Sequence, residues 1–248
     1  MDFTVEQLDT YIKCPIQYLI SNNIGSSSVD IYDQALRDAI KLYYLELIGS
    51  NLRLSEFYLR LIFSQRADYK LDNEIFIKEK ANALIKSDIT RYSGLINNFY
   101  KSIPVPPTHQ VITSYNKYKL KYGRFNIIFN IDPLVYDSKK DEYYIHNWIQ
   151  EHPLNEKVIS DIRIQLSMRA FRLHRDINPK ILTRNLNKQD DRLTTEFKLL
   201  NSDIDYNIQA IVNSITSEYY YPRCHNCTQC NYKELCKNGE YRKYISKE

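Results

Sequence analysis

The stretch Phe125-Asn-Ile-Ile-Phe-Asn-Ile-Asp132-Pro-Leu-Val-Tyr136, the turn Asp137-Ser-Lys-Lys-Asp141 and the run Glu142-Tyr-Tyr-Ile-His-Asn147-Trp-Ile149 together decide the fold. Both runs are rich in β-branched and aromatic residues and are separated by a short polar turn, which predicts two antiparallel strands. Upstream, Val111 to Leu120 has the same character and leads in through Lys121-Tyr-Gly-Arg124, so the three runs read as an antiparallel meander. Downstream, Glu156 to Arg175 takes helical period, with Ile159, Ile162, Leu166, Ala170 and Leu173 on one stripe. Lys180 to Asn185 then reads as a short strand and Asp203 to Tyr219 as a last helix.

Toward the N-terminus, Pro104-Val-Pro-Pro107 marks a change of character. From Val29 to Tyr100 the chain reads as largely helical. Its apolar stripes, Ala35, Ala39, Leu42, Tyr43 and then Leu54, Phe57, Tyr58, Leu61, Ile62, have the spacing of core-facing positions. At the start, Thr4 caps a helix and Gln7 answers it three residues on. Pro15 biases Cys14 away from helix, which places the cysteine at a break between two short helices. The expected class is α+β (α/β). It comprises an N-terminal segment (1–27), a helical region (28–103), a core of meander, helix and strand (104–219) and a cysteine-bearing C-terminal segment (220–248).

The composition excludes several classes. The 248 residues are 43% apolar and 26% charged, enough to bury a core, so neither a disordered tail nor a collagen-like rod fits. No run approaches the length of apolar residues that a membrane span requires. With five glycines and no GxGxxG or Walker pattern, a phosphate-cradling loop is not expected. Met1-Asp2-Phe3 lacks the basic stretch and apolar core of a signal peptide, which makes the cytoplasm the expected location. The abundance of Tyr, Asn, Ile and Lys, which have AT-rich codons, suggests a phage, a virus or an AT-rich bacterium as source; for a virus the location is the host cytoplasm.

The cysteines say more than the charge. Four of the five fall in Cys224-His-Asn-Cys227-Thr-Gln-Cys230-Asn-Tyr-Lys-Glu-Leu-Cys236, and the fifth is Cys14. In a reducing compartment such clustering reads as metal or cluster binding rather than disulfides. Local spacing leaves open an iron-sulfur cluster, zinc held by four thiolates, or zinc held by His225 with three of them.

Together these residues resemble the iron-sulfur branch of the PD-(D/E)XK nucleases, the group of RecB-like and AddB-like proteins that includes CRISPR-associated exonucleases. The resemblance rests on Cys14-Pro15 in an early helical segment, the strand meander, a helix bearing Gln165-Leu166, and Pro222 followed by Cys227, Cys230 and Cys236. It implies a restriction-endonuclease-like core and a 4Fe-4S cluster on Cys14, Cys227, Cys230 and Cys236, with Cys224 spare. Such a cluster would join the two ends of the chain as a structural staple.

Catalysis in that family needs divalent metal held by carboxylates, plus a lysine that steadies the developing charge. The resemblance aligns Asp132 with the first carboxylate, Asn147 with the second and Ile149 with the lysine. Phe129 replaces a glycine, and Gln165 is kept on the helix while Arg169 replaces a tyrosine. The histidine of the early helical region has no counterpart, its place falling near Ala39. Asparagine forfeits the charge a hard cation needs, and isoleucine cannot stabilise a transition state. The expectation is therefore a degenerate site with remnants Asp132, Asn147 and Gln165, no bound Mg and no enzyme activity. Rescue by Lys139, Lys140, Glu142 or Glu151, or by Arg163 and Arg169, is the competing expectation of an active Mg- or Mn-dependent exonuclease or endonuclease. A third is a zinc-stabilised protein-interaction scaffold.

What remains is a DNA-binding or assembly subunit of a replication, repair, recombination or transcription complex. Arg163, Arg169, Arg172 and Arg175 on the basic helix are its expected nucleic-acid contacts, with a protein partner and no membrane. The tyrosines Tyr219, Tyr220, Tyr221, Tyr232, Tyr241 and Tyr244 are candidates for stacking on bases.

Overall fold

The computed structural model describes residues 1–24, 28–48, 55–73, 92–101, 103, 108–149, 161–187, 192–222, 227, 230 and 232–245. The chain opens with β1 (Asp2–Thr4), which passes directly into α1 (Val5–Lys13). A reciprocal cap fixes that junction: the Gln7 amide donates to Thr4 Oγ1 at 3.3 Å and the Thr4 amide to Gln7 Oε1 at 2.9 Å. Cys14 is extended and separates α1 from α2 (Pro15–Ile24), the break expected before a proline. The helical region follows as α3 (Ser28–Glu46), α4 (Glu56–Asn73) and α5 (92–101).

The strands form two sheets, in a mixed α+β architecture. The first has order β1-β4-β3, with β3 (Lys117–Tyr122) antiparallel and β1 parallel to β4 (Phe125–Asn130). The second has order β2-β5-β6-β7-β8, from β2 (His109–Thr113), β5 (Leu134–Asp137), β6 (Glu142–Ile149), β7 (Lys180–Asn185) and β8 (Arg192–Thr195). Its β6–β7 pair is parallel and the other pairs are antiparallel. The parallel pair needs a crossover, and α6 (Ile162–Arg175) supplies it. After β8 come α7 (Asn201–Thr216), the short α8 (Lys233–Lys237) and a 3-10 turn at Glu240–Tyr244.

Two of the three expected strands are divided. Val111 to Leu120 breaks at Ser114–Asn116, where Tyr115 takes a left-handed φ of 56°, so β2 and β3 enter different sheets. Phe125 to Tyr136 breaks at Ile131–Pro133. Pro133 has no amide to extend the ladder, and the Asp132 amide donates to Ser167 Oγ at 3.1 Å. Stitching across the breaks comes from the Tyr115 amide to the Ile131 carbonyl and the Ile131 amide to the Asn116 carbonyl. β1 and β8 were not expected. The expected helix over 156–175 is described from Ile162, capped by Asp161, and its earlier residues lie outside the described ones.

Alternation then sorts the core. On β6, Ile145 faces the cluster formed with α1, α6, α7 and the three-stranded sheet, whereas Trp148 faces the one formed by α3, α4 and α5. The five-stranded sheet therefore lies between two helical layers. A third, small cluster of Ile16, Ile20 and Tyr232 joins α2 to the C-terminal segment.

Candidate functional site

Asp132 sits at the division between β4 and β5, where the chain leaves one sheet for the other. The residue is 9% exposed, and its carboxylate meets two side chains. Lys41 Nζ, from α3, is 2.9 Å from Oδ1, and Ser167 Oγ, from α6, donates to Oδ2 at 3.1 Å. Ser167 also accepts the Asp132 amide, so the serine holds both the backbone and the carboxylate. Lys41 Nζ donates further to the Asn130 carbonyl at 2.8 Å, and the Lys41 carbonyl accepts from the fully buried Ser114 hydroxyl at 2.7 Å. The three oxygen and nitrogen partners come from α3, α6 and the strand break, and they meet only because the chain turns at Pro133.

The other proposed remnants are distributed around this pair. The β5–β6 register, continued by the His146 amide on the Pro133 carbonyl at 2.9 Å, sets the buried Asn147 opposite Asp132. Gln165 is also buried, but two residues from Ser167 means about 200° around the helix, and its Oε1 meets Asn207 of α7 at 3.5 Å. His146 points to the opposite sheet face from Asn147, with Nδ1 2.7 Å from the Tyr44 hydroxyl. Of the rescue candidates, Arg163 of α6 lies within electrostatic reach of Asp132, whereas the described lysines and Glu142 are not beside it. Glu142 pairs with Lys180 and Tyr144 at the far end of β6, about 16 Å along the strand from Asn147. Lys139 and Lys140 are in the turn beyond it. Glu151 and the Ile149 side chain lie outside the described residues.

The Asp132 carboxylate faces the Lys41 ammonium, with neutral Ser167 and Asn147 around them and the Arg163 guanidinium within electrostatic reach. Among the described residues no three His, Cys, Asp or Glu side chains are gathered as a group that would hold a metal ion. The sequence reading missed Lys41 and Ser167. The available signal was Lys41 as the single charged residue in Ala39-Ile-Lys-Leu-Tyr-Tyr44.

Of the four expected nucleic-acid arginines, three are held by the protein itself. Arg163 Nη1 is 3.3 Å from Asp9 Oδ2 and its Nε 3.4 Å from Asp161. Burial works against its charge, yet Asp161, Asp9 and Asp132 outweigh that and raise its pKa. Burial likewise opposes the Asp9 charge, but Arg163, Lys13 and Arg37 hold its pKa at about 2. These groups line a polar cleft among α1, α2, α3 and α6. Arg169 grips Asp205 of α7 with two bonds, 3.0 and 3.1 Å. Arg172 donates to the Leu199 carbonyl at 2.6 Å, the Phe197 carbonyl at 3.2 Å and Asn178 at 2.9 Å. Arg175, at the end of α6, is exposed.

Cys14, Cys230 and Cys236 pack against the cluster of Ile16, Ile20 and Tyr232, together with Tyr220, Tyr241 and Tyr244. The Cys230 amide donates to the Cys227 carbonyl at 3.4 Å, closing a turn that holds those two residues together. None of the four described cysteines is in a disulfide. Soft thiolates brought from both chain ends to one place suit a thiophilic metal or an iron-sulfur group in donor chemistry. Their side chains do not stand as a formed coordination group. Cys224 and His225 lie outside the described residues. Tyr220 packs inward on Tyr11 and Tyr18, whereas Tyr219 and Tyr221 are exposed with ring centroids 5.3 Å apart.

No protein-family model matches the chain, and no curated protein does. A solved structure described as the crystal structure of SSO0001 aligns with 95% of this chain and 85% of its own at 11% identity, with a TM-score of 0.34. Among the described residues no helix is long and apolar enough to cross a membrane.

Proposed function

We propose that this chain is a PD-(D/E)XK nuclease-like protein that has lost catalysis and serves as a DNA-binding or assembly subunit of a larger nucleic-acid-processing complex. The carrying observation is the Lys41 ammonium, 2.9 Å from the buried Asp132 carboxylate. A hard divalent cation binds where carboxylates and carbonyls concentrate negative charge. Here a lysine already neutralises the single acid and takes the Asn130 carbonyl as well. Asn147 opposite adds no charge. Lys41 lies two residues beyond Ala39, where the resemblance places a family histidine. A cation from α3 thus stands in the neighbourhood that a metal would need.

The same lysine supports a second reading, an active nuclease with a relocated lysine beside Asp132. That reading needs a second carboxylate, and the residue opposite Asp132 is the neutral Asn147. Incubating the protein with labelled single- and double-stranded DNA and Mg or Mn separates the two. No cutting is expected. Metal-dependent cutting abolished by Asp132→Ala would establish the active nuclease and overturn the proposal.

We further propose that Cys14, Cys227, Cys230 and Cys236 hold a 4Fe-4S cluster that ties the chain ends. The gathering of Cys14 with Cys230 and Cys236 around Ile16, Ile20 and Tyr232 supports it. The expected result after anaerobic purification is a broad visible absorbance with stoichiometric iron and sulfide. A colourless protein with stoichiometric zinc would instead assign a zinc-stabilised scaffold.

A further inference from the structure

With Arg163, Arg169 and Arg172 committed to internal partners, a DNA-binding role needs cations from elsewhere in the fold. β3 carries them. Lys117, Lys119 and Lys121 are all exposed, and Arg124 continues the row just after the turn at Gly123. β3 is the edge of its sheet, and its outward positions alternate with the inward Leu120 and Tyr122. The lysines therefore project from one face, successive members about 6.6 Å apart along the strand. That interval is close to the spacing of phosphates along a nucleic-acid strand.

Apart from Ile128, the rest of that face is polar. The paired outward residues of β4 are Asn126, Ile128 and Asn130, opposite Lys121, Lys119 and Lys117. One acid intrudes: Asp2 of β1, which takes Lys119 at 3.3 Å and Asn126 at 2.6 Å. Asp205, beneath the opposite face near Tyr122, is already bound by Arg169. Three exposed lysines thus face one carboxylate, while the Arg124 guanidinium lies over the Phe125 ring, 4.9 Å from its centroid. On the inner side, Tyr118 of β3 packs on His174 with ring centroids 5.3 Å apart, which brings the end of α6 and the exposed Arg175 alongside the strand.

We propose that the outward face of β3, Lys117, Lys119 and Lys121 with Arg124, binds the phosphodiester backbone of DNA; the proposal rests on the DNA-binding reading above and assigns its surface. A lysine that only guards a sheet edge against pairing is needed once, whereas here every outward position of the strand is cationic. An acidic protein partner is disfavoured because protein interfaces centre on buried aromatic or apolar anchors, and this face offers Ile128 alone. Phosphate contacts of this kind bind without reading sequence, and each releases condensed counterions, a gain in affinity that shrinks as salt rises.

The test uses the full chain and fluorescence anisotropy with a labelled single strand of about twenty nucleotides and its duplex, across a series of salt concentrations. The triple variant Lys117→Gln, Lys119→Gln, Lys121→Gln is compared with Lys139→Gln, Lys140→Gln on the β5–β6 turn, with folding followed by circular dichroism. The triple variant is expected to bind at least about tenfold more weakly and to lower the salt slope by about 2 to 3, with the turn variant near wild type. Wild-type binding that the triple variant retains would overturn the β3 assignment and leave the DNA-binding reading standing. A wild type that binds neither DNA overturns both. Binding of polyglutamate by that wild type, lost in the triple variant, would give the face to an acidic protein.

Discussion

Lys41 and Asp132 each depend on the other for their place in the interior. Removing one partner of a buried pair leaves an uncompensated charge, and such losses cost about 3–5 kcal/mol. Lys41→Met is expected to destabilise by that order in urea denaturation. Adding Asp132→Asn should recover most of the loss, since two neutral groups need no countercharge. A double variant as unstable as the single one would show that Lys41 acts through packing alone. Asp9 offers a second test by pH. Its pKa falls from 3.8 to about 2 in the folded chain, so folding is favoured by its ionised form. That contribution, about 2 kcal/mol, is present above pH 4 and is lost as pH falls toward 2. Asp9→Asn should lower stability at neutral pH and flatten the acid limb between those values, as read from melting temperatures. A parallel downward shift of the whole curve would disprove the linkage.

At the level of elements, periodicity reported strand and helix types but could not report which sheet a strand enters. The alternation of Phe125, Ile127, Phe129 and Ile131 runs unbroken into Pro133; the proline interrupts the ladder, and the Asp132 amide, which goes to Ser167 on α6, settles where the chain leaves for the other sheet. Tyr115 is similar: nothing in a β-rich run announces a left-handed tyrosine, which is set by the bonds between residues 115–116 and Ile131. The capping box at Thr4 and the break at Cys14 were legible because both are local chemistry. The basic helix was misleading for the converse reason. Charge at helical spacing says nothing of partners contributed by α1 and α7. Arg172→Ala is expected to cost about 1–3 kcal/mol by leaving the Phe197 and Leu199 carbonyls unsatisfied, with little change in DNA affinity. Arg175→Ala, exposed, should change stability by no more than about 0.5 kcal/mol. Equal stability of the two variants in chemical denaturation would contradict this division.

For the whole molecule, the sheet between two helical layers brings α3 against the strand break, and the small cluster of Ile16, Ile20 and Tyr232 brings α2 to the C-terminal segment. If the four cysteines hold a cluster there, Cys14→Ser and Cys236→Ser should each abolish the visible absorbance and lower the melting temperature. Cys224→Ser should do neither, and loss of colour in that variant would replace Cys14 or another assigned ligand. By itself the sequence determined the α+β class, the helices described between residues 28 and 101, and Asp132 with Asn147 as the residues to watch. Those follow from short-range periods, turn chemistry and residue type. Only the tertiary structure decided that a lysine faces Asp132, that three arginines are internal ties and that β3 presents an exposed row of lysines. Each of these depends on contacts between residues far apart in the chain, which no local pattern encodes.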